Sequence, residues 1–163
     1  MVGAFEGVVA VLPIVICFQS LILDMAGNVG TQSLAVTIRV LMDENLNGRD
    51  KLKLVFKEMK VGFCNGALLG ILALFCLGLY ITLFKGYGFS HALLISGCVG
   101  ASLLIAIVIS SLVGTLVPIF FNKIKVDPAV ASGPLITTVN DLVAVVTYYG
   151  FAWTFLIQIM KIA

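Results

Sequence analysis

The sequence predicts an all-α, polytopic transmembrane helical bundle. Three observations carry this. Of 163 residues, 61% are hydrophobic and only 11% are charged, and the mean hydropathy is +1.16. Soluble domains carry about 25% charged residues, so this chain is too poor in charge to cover a water-facing surface, and too apolar to be disordered. Four stretches reach the roughly 20 apolar residues that a helix needs to cross the hydrocarbon core. None alternates with the period of two that a membrane strand would show. The net charge of +2 is too small to argue for a nucleic-acid partner.

The first span is expected over about 7–41, longer than needed and interrupted by polar residues; the others over about 61–84, 91–121 and 129–159. The segment between the first two spans holds Arg39, Arg49, Lys51, Lys53, Lys57 and Lys60, and the next linker on that side adds Lys123 and Lys125. Only Lys85 and Lys161 lie on the other side. Eight against two is a strong positive-inside bias, so both basic linkers are expected in the cytoplasm of a plasma or inner membrane, with the C-terminus outside. Four spans then put the N-terminus outside too. With no basic n-region or cleavage site before it, that is awkward for insertion, and a further helix upstream is expected.

Within the 43–60 linker, Leu52, Val55, Phe56 and Met59 follow i, i+3, i+4, i+7 spacing opposite a lysine-rich face. The expectation is a short amphipathic helix on the anionic inner leaflet, or a docking surface for a cytoplasmic domain. Cys17, Cys64, Cys76 and Cys98 lie in apolar stretches with no CxxC or Cys/His spacing, which predicts packed thiols rather than a zinc site. His91 is expected at an interface, and Tyr148, Tyr149 and Trp153 in an outer aromatic belt.

Function should lie where polar groups enter the spans, because ionisable residues are costly at membrane depth. Two acids qualify, Asp24 and Asp141. In the first span Ser20, Asp24, Asn28, Thr31 and Gln32 form one helical stripe, with Gly27 and Gly30 allowing close backbone approach or a break that exposes carbonyls. In the fourth span Asp127 and Pro128 suggest an N-cap and first-turn proline. Ser132, Gly133 and Pro134 follow, and a proline two turns into a helix would free carbonyls near Val130 and Ala131. Pro134, Thr137, Thr138 and Asp141 then make a second stripe, ending in a carboxylate roughly 20 Å from the helix start.

The donors are all hard oxygen: carboxylate, amide, hydroxyl and carbonyl. No Lys or Arg lies at depth to hold an anion. Such donors suit Mg²⁺, Ca²⁺ or Mn²⁺ rather than soft metals. One chain has too few carboxylates for a stripped ion. A symmetric dimer would bring two Asp141 side chains around one divalent ion that keeps part of its water shell, as Mg²⁺ does. A proton- or sodium-coupled divalent-cation carrier is the alternative, although no internal repeat marks it. A structural subunit is a third reading. An intramembrane aspartyl enzyme is a fourth, disfavoured because neither aspartate lies in a GxGD context.

The stretch DMAGNVGTQS at 24–33, followed by Arg39, and DPAVASGPLITTVND at 127–141 resemble the two signature stretches of the MgtE family of magnesium channels, as does the Phe5–Glu6 pair. The resemblance covers essentially the whole chain. It implies a homodimer with its pore on the twofold axis, lined by the first and fourth spans, and passive transport rather than enzymatic activity. It implies that Asp141 and its dimer mate hold hydrated Mg²⁺, helped by Asn28, Thr31 and carbonyls near Thr137 and Gly133. Asp24, Gly27, Gln32, Pro134 and Thr138 then line the path, and Mn²⁺, Co²⁺ and Ni²⁺ are further candidate ions. The family's membrane domain has five helices behind cytoplasmic Mg²⁺-sensing domains. This chain matches helices two to five, so the sensing domains are expected as partners outside it.

Overall fold

A computed structural model describes residues 6–7, 13–43, 46–130 and 133–159, and among them no strand occurs. The chain enters through a 3₁₀ turn, Pro13–Phe18, that runs straight into α1, Gln19–Leu41. The long helices α2, Gly48–Phe84, and α3, Phe89–Lys123, follow. After a 3₁₀ turn at Pro128–Val130 comes α4, Gly133–Ala152, which passes into a π-helical stretch, Trp153–Ile159. Among the described residues four stretches are long and apolar enough to cross a membrane: Pro13–Leu41, Gly48–Phe84, Phe89–Lys123 and Gly133–Phe155. The bundle has one basic end, where α1 gives way to α2 and α3 to α4.

Helix α3 is the centre of the bundle. It is apolar nearly all round, and α2 packs on one side of it while α1 and α4 pack on the other. Small residues set these distances, since lipid tails solvate a Leu as well as a neighbouring helix does and association depends on close fit. Gly62, Gly66, Gly70 and Gly78 put a ridge of glycines on α2. A Cβ built at Gly70 would stand 2.8 Å from the Gly100 carbonyl oxygen, and one at Gly100 would stand 2.6 Å from that of Gly70. The pairings Gly62 with Ser111, Gly66 with Leu104 and Gly78 with Ser96 continue the same antiparallel register. The turn between α2 and α3 includes Gly86 at φ +70°, a conformation L side chains rarely adopt. On the other side Gly114 of α3 meets the backbone of Gly30 and Leu34 on α1. Pro118, buried in α3 one turn on, withholds the N–H that the Gly114 carbonyl would accept.

The core runs from Ile14, Val15 and Phe18 through Ile22 and Ala26 to Ile95, Val99, Leu103 and Ile107 on α3 and Ala144 and Tyr148 on α4. A smaller cluster, Leu34 and Ile136 with Ile38, Val117 and Phe121 around them, closes the basic end. The outer face of α2 is exposed and apolar, with Leu68 and Phe75 each 69% exposed.

Several expectations change. The stretch 50–60 is the opening of α2 itself, a continuous helix about 55 Å long. Its inward positions are Leu54 and Glu58, whereas Leu52 and Phe56 are exposed and Val55 and Met59 half-buried. Tyr148 and Tyr149 are core residues, not belt residues. The Tyr148 hydroxyl donates to the Val15 carbonyl at 2.6 Å, and the Tyr149 hydroxyl to Gln19 Oε1 at 2.6 Å. Both tie the start of the first span to α4, and a buried phenol needs such a partner. Of the cysteines only Cys98 is buried; Cys17, Cys64 and Cys76 are exposed. His91 is exposed at the start of α3. Phe5 of the Phe5–Glu6 pair lies outside the described residues. Tyr148→Phe should lower stability by about 1 kcal/mol, because the Val15 carbonyl loses its side-chain donor in a dry site. Thermal unfolding in detergent checks this, and an unchanged midpoint would show that the bond carries no net weight.

Candidate ion-conducting face

The two polar stripes form as helix faces, and both lie on the surface of the single chain. On α1, Ser20, Asp24, Asn28, Gln32 and Arg39 are exposed, and Thr31 and Gly27 are half-buried at the edge of the stripe. On α4, Pro134, Thr138 and Asp141 are exposed, with Thr137 and Gly133 half-buried beside them. The opposite face of α1, with Ile22, Ala26, Val29, Gly30, Ser33, Leu34 and Thr37, is buried. Periodicity is the cause: at 3.6 residues per turn the polar and apolar positions of 19–41 separate onto opposite sides.

The helices are antiparallel. A Cβ at Gly30 would fall on the Asn140 side chain, and Tyr149 bonds Gln19, so numbers rise on one helix as they fall on the other. This register sets Asn28 at about the height of Asp141, and Gln32 at about that of Thr138. Asp24 stands higher, level with Val145 and Val146. The structure thus brings Asp141, Asn28, Thr31, Gln32, Thr137 and Thr138 to one band, and leaves Asp24 about a turn above it.

The hydroxyls of this band are anchored to their own helices. Thr31 Oγ1 donates to the carbonyls of Gly27 at 3.0 Å and Asn28 at 2.9 Å. Thr137 Oγ1 donates to Gly133 at 3.0 Å and Pro134 at 3.1 Å, and Thr138 Oγ1 to Pro134 at 2.8 Å. With their protons turned along the helix, these oxygens present lone pairs outward, which suits a cation or its water shell. Asp141, Asp24, Asn28 and Gln32 complete a surface of oxygen donors and carboxamides.

Two details differ from expectation. No break exposes carbonyls in the first span: α1 is continuous through Gly27 and Gly30. Those glycines divide the work, since Gly30 is in close backbone contact while a Cβ at Gly27 would meet nothing within 4 Å. In the fourth span Asp127 Oδ1 accepts from the Ala129 N–H at 2.9 Å, so the cap forms, but over a 3₁₀ turn. The described part of α4 opens at Gly133, with Pro134 beside it. Asp141 stands about 12 Å along the helix from Gly133. Ser132 and Ala131 lie outside the described residues.

Three features escaped the sequence reading. Asn140, next to Asp141, is fully buried with neither carboxamide atom hydrogen-bonded among the described residues. Ser33 Oγ bonds Ser111 Oγ at 3.0 Å, and Ser111 donates to the Glu58 carbonyl at 2.8 Å, which links α1, α3 and α2 through a buried polar step. Glu58 itself is only 4% exposed. Asn140 and Ser33 both lie inside the quoted motifs, but nothing in their spacing separates them from stripe residues.

Among the described residues no three His, Cys, Asp or Glu side chains gather as a metal cluster. The face is polar, acidic and oxygen-lined on spans whose remaining outer surface is apolar.

Comparison with known proteins places the chain among relatives. The magnesium transporter MgtE of Bacillus subtilis is 35% identical over 156 residues, 96% of this chain and 33% of that protein. That of Enterococcus faecalis is 35% identical over 156 residues, 96% of this chain and 32% of its own length. That of Thermus thermophilus is 33% identical over 148 residues, 91% of this chain and 31% of its own length. The chain thus spans about a third of the length of these relatives. The family profile MgtE, described as divalent cation transporter, matches residues 19–151, from the start of α1 almost to the end of α4 and so across both polar stripes. On that match, this four-span bundle belongs to the MgtE family of divalent cation transporters.

Proposed function

We propose that this chain forms the membrane pathway of a passive Mg²⁺ transporter, with two copies placing their polar faces against each other across a twofold axis. The observation that carries the reading is the exposed stripe itself. Asp141, Asn28, Gln32 and Thr138 lie open on helices long and apolar enough to span a bilayer. A carboxylate bare to lipid is costly, and a second copy covers it while leaving room for water.

In this arrangement the two Asp141 carboxylates share one hydrated Mg²⁺. Their mutual repulsion keeps the site attractive to a divalent ion, and the ion in turn allows both to stay charged. Asn28, Thr31, Thr137 and the Gly133 carbonyl meet the ion's water shell. Asp24 draws cations in one turn above, and Gly27, Gln32, Pro134 and Thr138 line the rest. Selection follows from a site matched to the hydrated ion, since Mg²⁺ gives up its water reluctantly. Mn²⁺, Co²⁺ and Ni²⁺ share that octahedral shell and compete. The basic end faces the cytoplasm, following the eight-to-two distribution of lysine and arginine. The relatives' description as magnesium transporters supports the choice of ion.

Two measurements test this. Mg²⁺ entry into proteoliposomes holding the full chain should persist when proton and sodium gradients are collapsed; flux that stops with either gradient would make the protein a coupled carrier. Asn28→Cys, in a chain with Cys17, Cys64 and Cys76 replaced by Ser, should be joined into a dimer by a bifunctional maleimide long enough to reach across a hydrated ion. A chain that stays monomeric would overturn the twofold arrangement.

A further inference from the structure

The opening turns of α2 carry a feature that ion passage does not use. Arg49, Lys53, Phe56, Lys57, Lys60 and Val61 line an open groove of about 610 Å³. Leu52 (57% exposed) and Phe56 (52% exposed) give it an apolar floor, and the cations stand around it. Lys53 is held by Asp50 at 3.2 Å, whereas Lys51 is turned away to Asn122 Oδ1 at 2.6 Å and pins the other side of the helix to α3. The groove lies on one helical face. That face continues without interruption through exposed Cys64, Leu68, Leu72 and Phe75 to Leu83, the exposed apolar surface of α2.

We propose that this groove is a binding site for an anionic phospholipid of the leaflet at the basic end. Its headgroup phosphate would be held by Arg49, Lys57 and Lys60, and its upper acyl chain would lie over Phe56 and Val61. Two observations choose the occupant. The charge is of one sign, around an apolar floor, which complements an anionic headgroup on a hydrocarbon tail. The lipid-facing surface of the same straight helix runs directly into the groove, and the residues from 61 to 84 already span about 36 Å, which leaves 49–60 at headgroup level. The inference rests on the orientation proposed above only for which leaflet supplies the lipid; binding itself is read without any ion flux, so either proposal can fail alone.

The test is native mass spectrometry of the delipidated full chain titrated with phosphatidylglycerol or phosphatidylcholine. Phosphatidylglycerol should bind in preference, and Arg49→Gln/Lys57→Gln/Lys60→Gln should weaken it by about tenfold or more. Phe56→Ser, which leaves the charge unchanged, should weaken both lipids several-fold. Lys123→Gln/Lys125→Gln, at the same end but off the groove, should change little. Equal affinity for the two lipids would overturn the site. So would an equal loss in the Lys123/Lys125 control, because it would mean diffuse attraction to the basic end rather than a groove. Thermal unfolding of each variant, expected within 2 °C or so of the parent because surface substitutions cost little, separates loss of binding from loss of fold.

Discussion

Asp141→Asn should cut Mg²⁺ entry into proteoliposomes by about tenfold or more while leaving the bundle folded. At an effective dielectric of about 20, a divalent ion some 5 Å from a carboxylate, with a water between, gains roughly 7 kcal/mol of gross attraction. Desolvation offsets much of this, yet about one-fifth surviving is already a factor of about ten. The substitution is isosteric and Asp141 is exposed on the single chain, so packing is untouched. Asp24→Asn should cost only a few-fold, because Asp24 stands opposite Val145 and Val146 rather than in the band shared with Asn28 and Thr138. Flux assays with a Mg²⁺-sensitive dye, with size-exclusion profiles of each variant, decide it. Parental flux through Asp141→Asn would remove the paired-carboxylate mechanism, and a deeper loss from Asp24→Asn would move the site up a turn.

The largest stability effect is expected where α1, α3 and α4 meet. A Cβ at Gly114 would fall on the carbonyl oxygen of Gly30 and 3.2 Å from the Leu34 nitrogen, backbone atoms that cannot step aside. Gly114→Ala should therefore cost about 3 kcal/mol, the upper part of the overpacking range. Gly30→Ala meets something softer, the Asn140 carboxamide, with the Ser110 carbonyl oxygen 3.2 Å away. It should cost about 1–3 kcal/mol alone. Asn140→Ala should be neutral or mildly stabilising, because it removes two buried polar atoms that have no partner among the described residues. Combined with Gly30→Ala it should recover most of the loss, whereas it should not rescue Gly114→Ala. Unfolding of the single and double variants closes the cycle. Equal destabilisation by Gly30→Ala with and without Asn140 would show that the Ser110 carbonyl, not the carboxamide, sets the limit.

These two expectations differ in how far the sequence alone could reach them. Asp141 was legible because a carboxylate inside an apolar span stands out, and because Pro134, Thr137 and Thr138 repeat at helical spacing beneath it. The same rule found Asp24, Asn28 and Gln32, all of which the fold leaves on the surface of the chain. Asn140 was invisible by that rule. It is as polar as Asn28, but it points into the bundle, and only the position of Gly30 on a neighbouring helix tells the two apart. Tyr148 and Tyr149 misled for a related reason. Aromatic residues near a span's end suit an interface, and the partners that draw them inward, Val15 and Gln19, lie more than a hundred residues away.

By itself, then, the sequence determined what depends on the chain's own period: four apolar spans, the basic end, and a polar stripe on the first and last of them. Each follows from spacings of three and four residues, which a helix converts into a face whatever surrounds it. Only the tertiary structure decided which glycines are contact points, that the fourth span is preceded by a 3₁₀ turn at Pro128–Val130, and that α3 rather than a polar span stands at the centre. Those outcomes depend on how closely two backbones can approach, a property of pairs of helices that no one-dimensional period contains.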